Sequence, residues 1–190
     1  MASKGPAAAG KGGASARARS ATSSQARALA QCRTQLALVD VVQHGVASGL
    51  DFQAIVDRVA DELLDALHTE DLAITWYDEK ANLVHTLCVY EHGRRLTGIL
   101  PRAPQPGGIY EEMRRTLAPC VLGTPADYAR LNMKVVPGTD ASLSFVAAPI
   151  VNNGRLVGDI SLENFERENA YGAQDVATLK SAADALGVAL

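Results

Sequence analysis

Residues 142–168 read SLSFVAAPIVNNGRLVGDISLENFERE, two runs rich in Val, Ile, Leu and Phe on either side of Asn152-Asn153-Gly154. Asn-Gly is the pair that best tolerates positive φ, which a tight primed hairpin turn requires. Side chains alternate faces along a strand, so Leu143, Phe145 and Ala147 fall on one side of the first run. Ser144, Val146, Ala148 and Ile150 fall on the other. In the second run Leu156, Gly158, Ile160 and Leu162 share a face, opposed by Val157, Asp159, Ser161 and Glu163. Both faces of the first run and one of the second are mostly apolar. This predicts a hairpin at the centre of an antiparallel sheet covered on both sides.

Working outward, a polar connection after Asn164 leads to a helical pattern over residues 174–190. Val176, Leu179, Ala183, Leu186 and Leu190 step by threes and fours, and the pattern is still running at Leu190. It reads as a segment cut from a longer protein, or as a helix that normally continues into something else. A second helix is expected over 24–47, where Leu29, Cys32, Leu36, Val39, Gln43 and Val46 follow the a/d spacing of a coiled coil. Leu38, Val41 and Val42 lie off that seam, so one side is expected to meet the sheet and the other a partner. One seam at each end of a sheet domain predicts a parallel homodimer, and the Ala-rich surroundings leave plain intramolecular packing as the alternative. Between them, Asp51 is placed to cap a helix over 52–68 with an apolar stripe of Ile55, Val59, Leu63, Leu64 and Leu67.

Strands are predicted over 72–77 and 83–91 about a turn at 78–82, with a further short strand over 96–100. Residues 101–108, with three prolines and two glycines, break the chain. A short helix over 109–117, a strand over 119–122 and a helix over 126–131 capped by Thr124 follow. Short elements and loops therefore fill residues 96–140, the setting in which ligand sites are usually built on a rigid sheet.

The charge is unevenly spread. No Asp or Glu precedes Asp40, and that segment carries +6; the whole chain is −3, which leaves −9 on the body. An acidic body argues against a nucleic-acid surface. Residues 1–22 are small, polar and basic, and are expected to be a disordered tail. Gly5 to Lys11 mimics the start of a phosphate-binding loop, but Gly12 stands where its Ser or Thr belongs. Cys32, Cys88 and Cys120 are sparse and form no CxxC, which reads as reduced thiols in a cytoplasmic protein. No apolar run approaches the ~20 residues of a membrane span.

A search for chemistry returns little. His44, His68, His85 and His92 lack metal-ligand spacing, and Ser144 and Ser161 lack a nucleophile-elbow context. The aromatic residues Trp76, Tyr90, Tyr110, Tyr128 and Phe145 cluster in or beside the sheet and the loop-rich insert, and Arg94, Arg95 and Arg102 stand near its mouth. Trp76, Tyr90, Arg94, Tyr110, Tyr128 and Phe145 are the candidate ligand contacts. No cofactor, metal or catalytic residue is identified.

The Ala148-Pro149-Ile150 strand, the turn, the run from Val157 to Asn164, and Tyr171 four residues before Asp175 resemble the closing part of a GAF domain, a small-molecule sensor module of signalling proteins. The resemblance covers roughly residues 35–190. It implies an α+β fold of the GAF/PAS type: a central antiparallel sheet of five to six strands, terminal helices on one face, short helices and loops on the other. Residues 23–190 then form one such domain. The implied role is a regulatory one without catalysis, in which an unknown small molecule acts through dimeric terminal helices on a downstream signalling output domain or protein. A dimerisation module that binds no ligand is the alternative, and a GAF-type methionine sulfoxide reductase a lesser one, because the sequence around Cys120 is unlike that family's catalytic loop. The Cys-His pair that anchors a bilin is absent. Phe165 replaces the Lys of the cyclic-nucleotide motif, which counts against that ligand.

Overall fold

The computed structural model describes residues 12–189. The order of elements is α1 (Gly12–Ala47), α2 (Phe52–Leu67), β1 (Leu72–Asp78), β2 (Leu83–Glu91), β3 (Arg94–Arg95), α3 (Ile109–Thr116), β4 (Cys120–Leu122), α4 (Pro125–Arg130), β5 (Ser144–Asn152), β6 (Arg155–Asn164) and α5 (Ala173–Ala189). The chain divides into two units, Met1–Arg33 and Thr34–Leu190, and the second holds the sheet. The six strands run antiparallel in the order β3-β2-β1-β6-β5-β4, so the predicted hairpin supplies two adjacent interior strands. Asn153 and Gly154 take φ of 50° and 75°, the geometry for which the Asn-Gly pair was suited.

Each face of the sheet carries its own core. On one, Val146, Ala148, Ile150, Ile160 and Leu162 of the hairpin pack with Ile74 and Leu72, with Val56, Val59 and Leu63 of α2, with Leu179 and Leu186 of α5, and with Leu38 and Val42 of α1. On the other, Phe145, Ala147, Tyr77 and Val84 pack with Tyr110 and Met113 of α3 and with Leu122 and Leu131. Caps fix where the helices begin. Asp51 accepts from the Ala54 N–H (2.8 Å), Thr124 and Asp127 form a reciprocal capping box, and Asp175 accepts from the Gly172 N–H (2.8 Å).

Four expectations need correction. The first helix begins at Gly12, inside the stretch read as a disordered tail, because Ala and Arg are strong helix formers; residues 1–11 of that tail lie outside the described residues. The strand expected over 96–100 is absent. His92 and Gly93 adopt positive φ and turn the chain early, so Arg94 and Arg95 pair with Glu91 and Tyr90 before the chain leaves the sheet. Leu156 sits on the opposite face to Ile160. Register shifts between Ile150 and Val151, Val157 is bulged out, and the alternation inverts beyond it.

The fourth correction concerns the seams. Leu179, Ala183 and Leu186 have no exposed surface and belong to the chain's own core, and Val176 packs against it, so the α5 pattern is core packing rather than a dimer contact. Leu190 lies outside the described residues. In α1, by contrast, Leu29, Leu36 and Val46 are more than half exposed, Cys32 is exposed and Val39 half-buried.

Gly158 marks the tightest crossing. It pairs with Trp76 on one side and Ile150 on the other, and a Cβ there would lie 2.1 Å from the Thr75 carbonyl oxygen. Backbone in a central strand cannot yield cheaply. Gly158→Ala is therefore expected to lose about 3 kcal/mol of stability, read as a lower urea midpoint at unchanged m-value. A wild-type midpoint would show that β1 and β6 can part at no cost.

Candidate functional site

Strand pairing assembles the site. Thr75 of β1 lies directly opposite Asp159 of β6, Ala73 opposite Ser161, and Phe145 of β5 opposite Glu163. The period of two then turns Asp159, Ser161 and Glu163 toward the same face. Over that face run residues 102–110 and 128–142, and between them and the sheet lies a cavity of about 180 Å³. An apolar cavity of about 150 Å³ holds one benzene, and drug-sized ligands need about 300 Å³ or more. The space suits a small molecule.

At its floor Asp159 is 4% exposed. Its Oδ1 accepts hydrogen bonds from the Thr75 hydroxyl and from the Tyr110 hydroxyl (2.5 Å), and those two hydroxyls also touch each other. Tyr110 reaches down from α3, which Met113 anchors in the core. Burial pushes the Asp159 carboxyl above its ordinary range, opposed by the Thr75 and Tyr110 hydrogen bonds and by the Arg102 charge. Burial also raises the Tyr110 phenol, and the Asp159 charge adds to it. Glu163 is pushed up to about 7, first by burial, with the charges of Glu91, Asp71 and Asp159 in the same direction. Gln105, also in the wall, has a buried Oε1 with no hydrogen-bond partner among the described residues. Arg102 and Lys134 supply positive charge to the lining. Tyr128, from capped α4, closes one side and shares a hydrogen bond with Ser142 Oγ (3.1 Å).

Of the aromatic and basic residues expected to meet a ligand, Tyr110, Tyr128 and Phe145 line this cavity. Trp76, Tyr90 and Arg94 do not. Strand parity sends Ala73, Thr75 and Tyr77 toward the cavity side, and Trp76 to the other face, where it stacks on His85 at 5.0 Å. Tyr90 pairs with Leu72 and packs in the helix-side core, with the Arg95 guanidinium 5.9 Å above its ring. Arg94 is exposed on the edge strand. Sequence reasoning passed over Thr75, Asp159 and Glu163 as site residues. The signal available was an acid on alternate positions of an otherwise buried interior strand.

A family model for the GAF domain matches residues 49–190. No curated protein matches the chain by sequence. Among solved structures, a methyl-accepting chemotaxis protein fragment aligns at TM-score 0.65 and 21% identity, covering 80% of this chain and 93% of that one. The GAF domain of a phosphoenolpyruvate-protein phosphotransferase from Coxiella burnetii aligns at 0.65 and 14%, covering 82% and 92%. The free methionine-R-sulfoxide reductase of Neisseria meningitidis, solved with its substrate, aligns at 0.61 and 15%, covering 84% and 87%. Similarity at these identities speaks for the fold alone, but the family model spans most of the chain, and the chain belongs to the GAF domain family.

Proposed function

We propose that the domain is a cytoplasmic sensor that binds a small molecule in the cavity and passes its occupancy to a dimer held by α1. One observation carries this reading: a cavity on the sheet's loop-covered face into which two carboxyl groups are turned. A module that served only as a scaffold would gain by filling this space with apolar side chains, since burying acids is costly. The same β5 and β6 that floor the cavity pack on their other face against α5, whose Ala177 carbonyl accepts from Gln35 Nε2 of α1 at 3.4 Å. A ligand that binds one arrangement of these strands more tightly than another therefore biases the helix. A downstream output domain or protein would receive the change. The thiols favour binding over redox catalysis: burial pushes Cys88 up to about 11 and raises Cys120 as well, so neither is a ready nucleophile.

Native mass spectrometry of the purified protein is expected to find a dimer with an added mass in each chain. Phe145→Trp, which fills the cavity, is expected to release it. A chain without added mass that no small amine or carboxylate stabilises in thermal melts would overturn the sensor in favour of the scaffold. The dimer has its own test. Cys32 is exposed on the α1 seam, whereas Cys88 and Cys120 are buried. Mild oxidation should thus yield a disulfide-linked dimer in the wild type and none in Cys32→Ser; no crosslink at all would remove α1 as the parallel interface.

A further inference from the structure

Beside the cavity, whose wall includes Asp140, three potential metal ligands from two segments converge. Glu91 ends β2, His92 sits in the turn that follows, and Asp140 belongs to the loop of residues 131–143. Their ligating atoms all lie within 4.8 Å of one another, and His92 Nε2 is 3.2 Å from Asp140 Oδ2. Two ligands sharing one first-row ion stand about 3.0 to 3.4 Å apart, given metal–ligand bonds of about 2.0–2.2 Å. The His–Asp pair already has that spacing.

His92 and Glu91 each have a contact besides the His92–Asp140 pair. The His92 ring packs on Phe165 (centroids 4.5 Å apart), and its backbone N–H donates to Asp71 Oδ1 at 2.6 Å. The Glu91 carboxylate accepts from the Asp140 backbone N–H at 3.2 Å. Support of this kind orients first ligands and sets their affinity. The local charge also asks for a cation: Glu91 and Asp140 stand together, and the field of Glu91 and Asp71 reaches Glu163.

We propose that Glu91, His92 and Asp140 bind a divalent first-row metal ion that latches the 131–143 loop to the end of β2. One imidazole and two carboxylates suit Zn²⁺, Mn²⁺, Fe²⁺ or Co²⁺; they do not suit Cu(I), which selects thiols, or Mg²⁺ and Ca²⁺, which take oxygen alone. The consequence is for access. The loop supplies Met133, Lys134, Val136, Thr139 and Ser142 to the cavity wall, so a metal at its Asp140 holds that wall shut. This site stands whether or not the cavity binds a ligand, and its test does not require one.

The probe is Zn²⁺ added to chelator-treated full chain in the Cys32→Ser background, which removes the exposed thiol. Calorimetry is expected to find one ion per chain. Affinity is expected to fall at least tenfold in His92→Ala and in Asp140→Ala, each compared with its own apo melt, because His92 also packs on Phe165. Millimolar Mg²⁺ should not compete. Co²⁺ should give weak visible bands without a thiolate charge-transfer band. Hydrogen exchange over 131–143 should slow with Zn²⁺ in the wild type and not in the variants. No saturable binding, equal binding by the variants, or a thiolate spectrum would each overturn the proposal.

Discussion

Leu179→Asp is expected to unfold the domain rather than to release monomers. Leu179 has no exposed surface and lies in the core that α5 shares with β5, β6 and α2. Truncating such a leucine removes about 2–5 kcal/mol. The aspartate adds a carboxyl that must either stay charged without a partner or take up a proton at a cost of several pKa units. Together these exceed about 5 kcal/mol, against a total stability of about 5–15 kcal/mol for a native domain. Circular dichroism should show no cooperative melt. Leu36→Asp makes the contrast. At 59% exposure its side chain is not in the core, so the melt should move by only a few degrees while the solution mass drops to that of a monomer. A folded, monomeric Leu179→Asp would instead place the α5 seam at an interface and remove it from the core.

That contrast also shows what could be read from the chain itself. Threes and fours along 174–190 report an apolar stripe, and a stripe looks the same whether its own sheet or a second copy covers it. What distinguishes α1 is Leu38 and Val42, buried apolar residues off the seam that leave Leu29, Leu36 and Val46 without cover. The hairpin was legible because turn chemistry and alternation are both local; Leu83–Glu91 and the capped α4 were legible for the same reason. The bulge at Val157 was not, since one extra residue in a strand leaves no compositional mark, and it inverted the face of Leu156. The site divided along the same line. Tyr110, Tyr128 and Phe145 come from the segments where a ligand was expected, whereas Trp76 and Tyr90 failed on parity alone. Asp159 and Glu163 were visible as acids in a buried strand, but their meaning depends on Thr75 and Tyr110, which only the pairing of β1 with β6 and the docking of α3 bring to them.

Glu163 gives the cavity a pH signature with a definite sign. Burial is the largest cause of its rise from 4.5 to about 7, followed on the raising side by the charges of Glu91, Asp71 and Asp159. Between these values the folded chain holds a proton that the unfolded chain has released. Stability from this group is thus fully present below about pH 4.5 and is lost as pH rises through about 7. The gap corresponds to on the order of 3 kcal/mol, or several degrees in the melting temperature of a domain this size. Melts from pH 5 to 8.5 should show that fall in the wild type, and Glu163→Gln should flatten it and melt higher than the wild type at pH 8. Parallel wild-type and Glu163→Gln profiles would show that the carboxyl is solvated and carries no such cost. If the slope is present, the same cost is available to a ligand. A cationic group placed beside Glu163 and Asp159 would favour their ionised forms, so its binding should tighten as pH rises from 6 to 8 and release a proton as it does, which calorimetry in two buffers of different ionisation enthalpy would count.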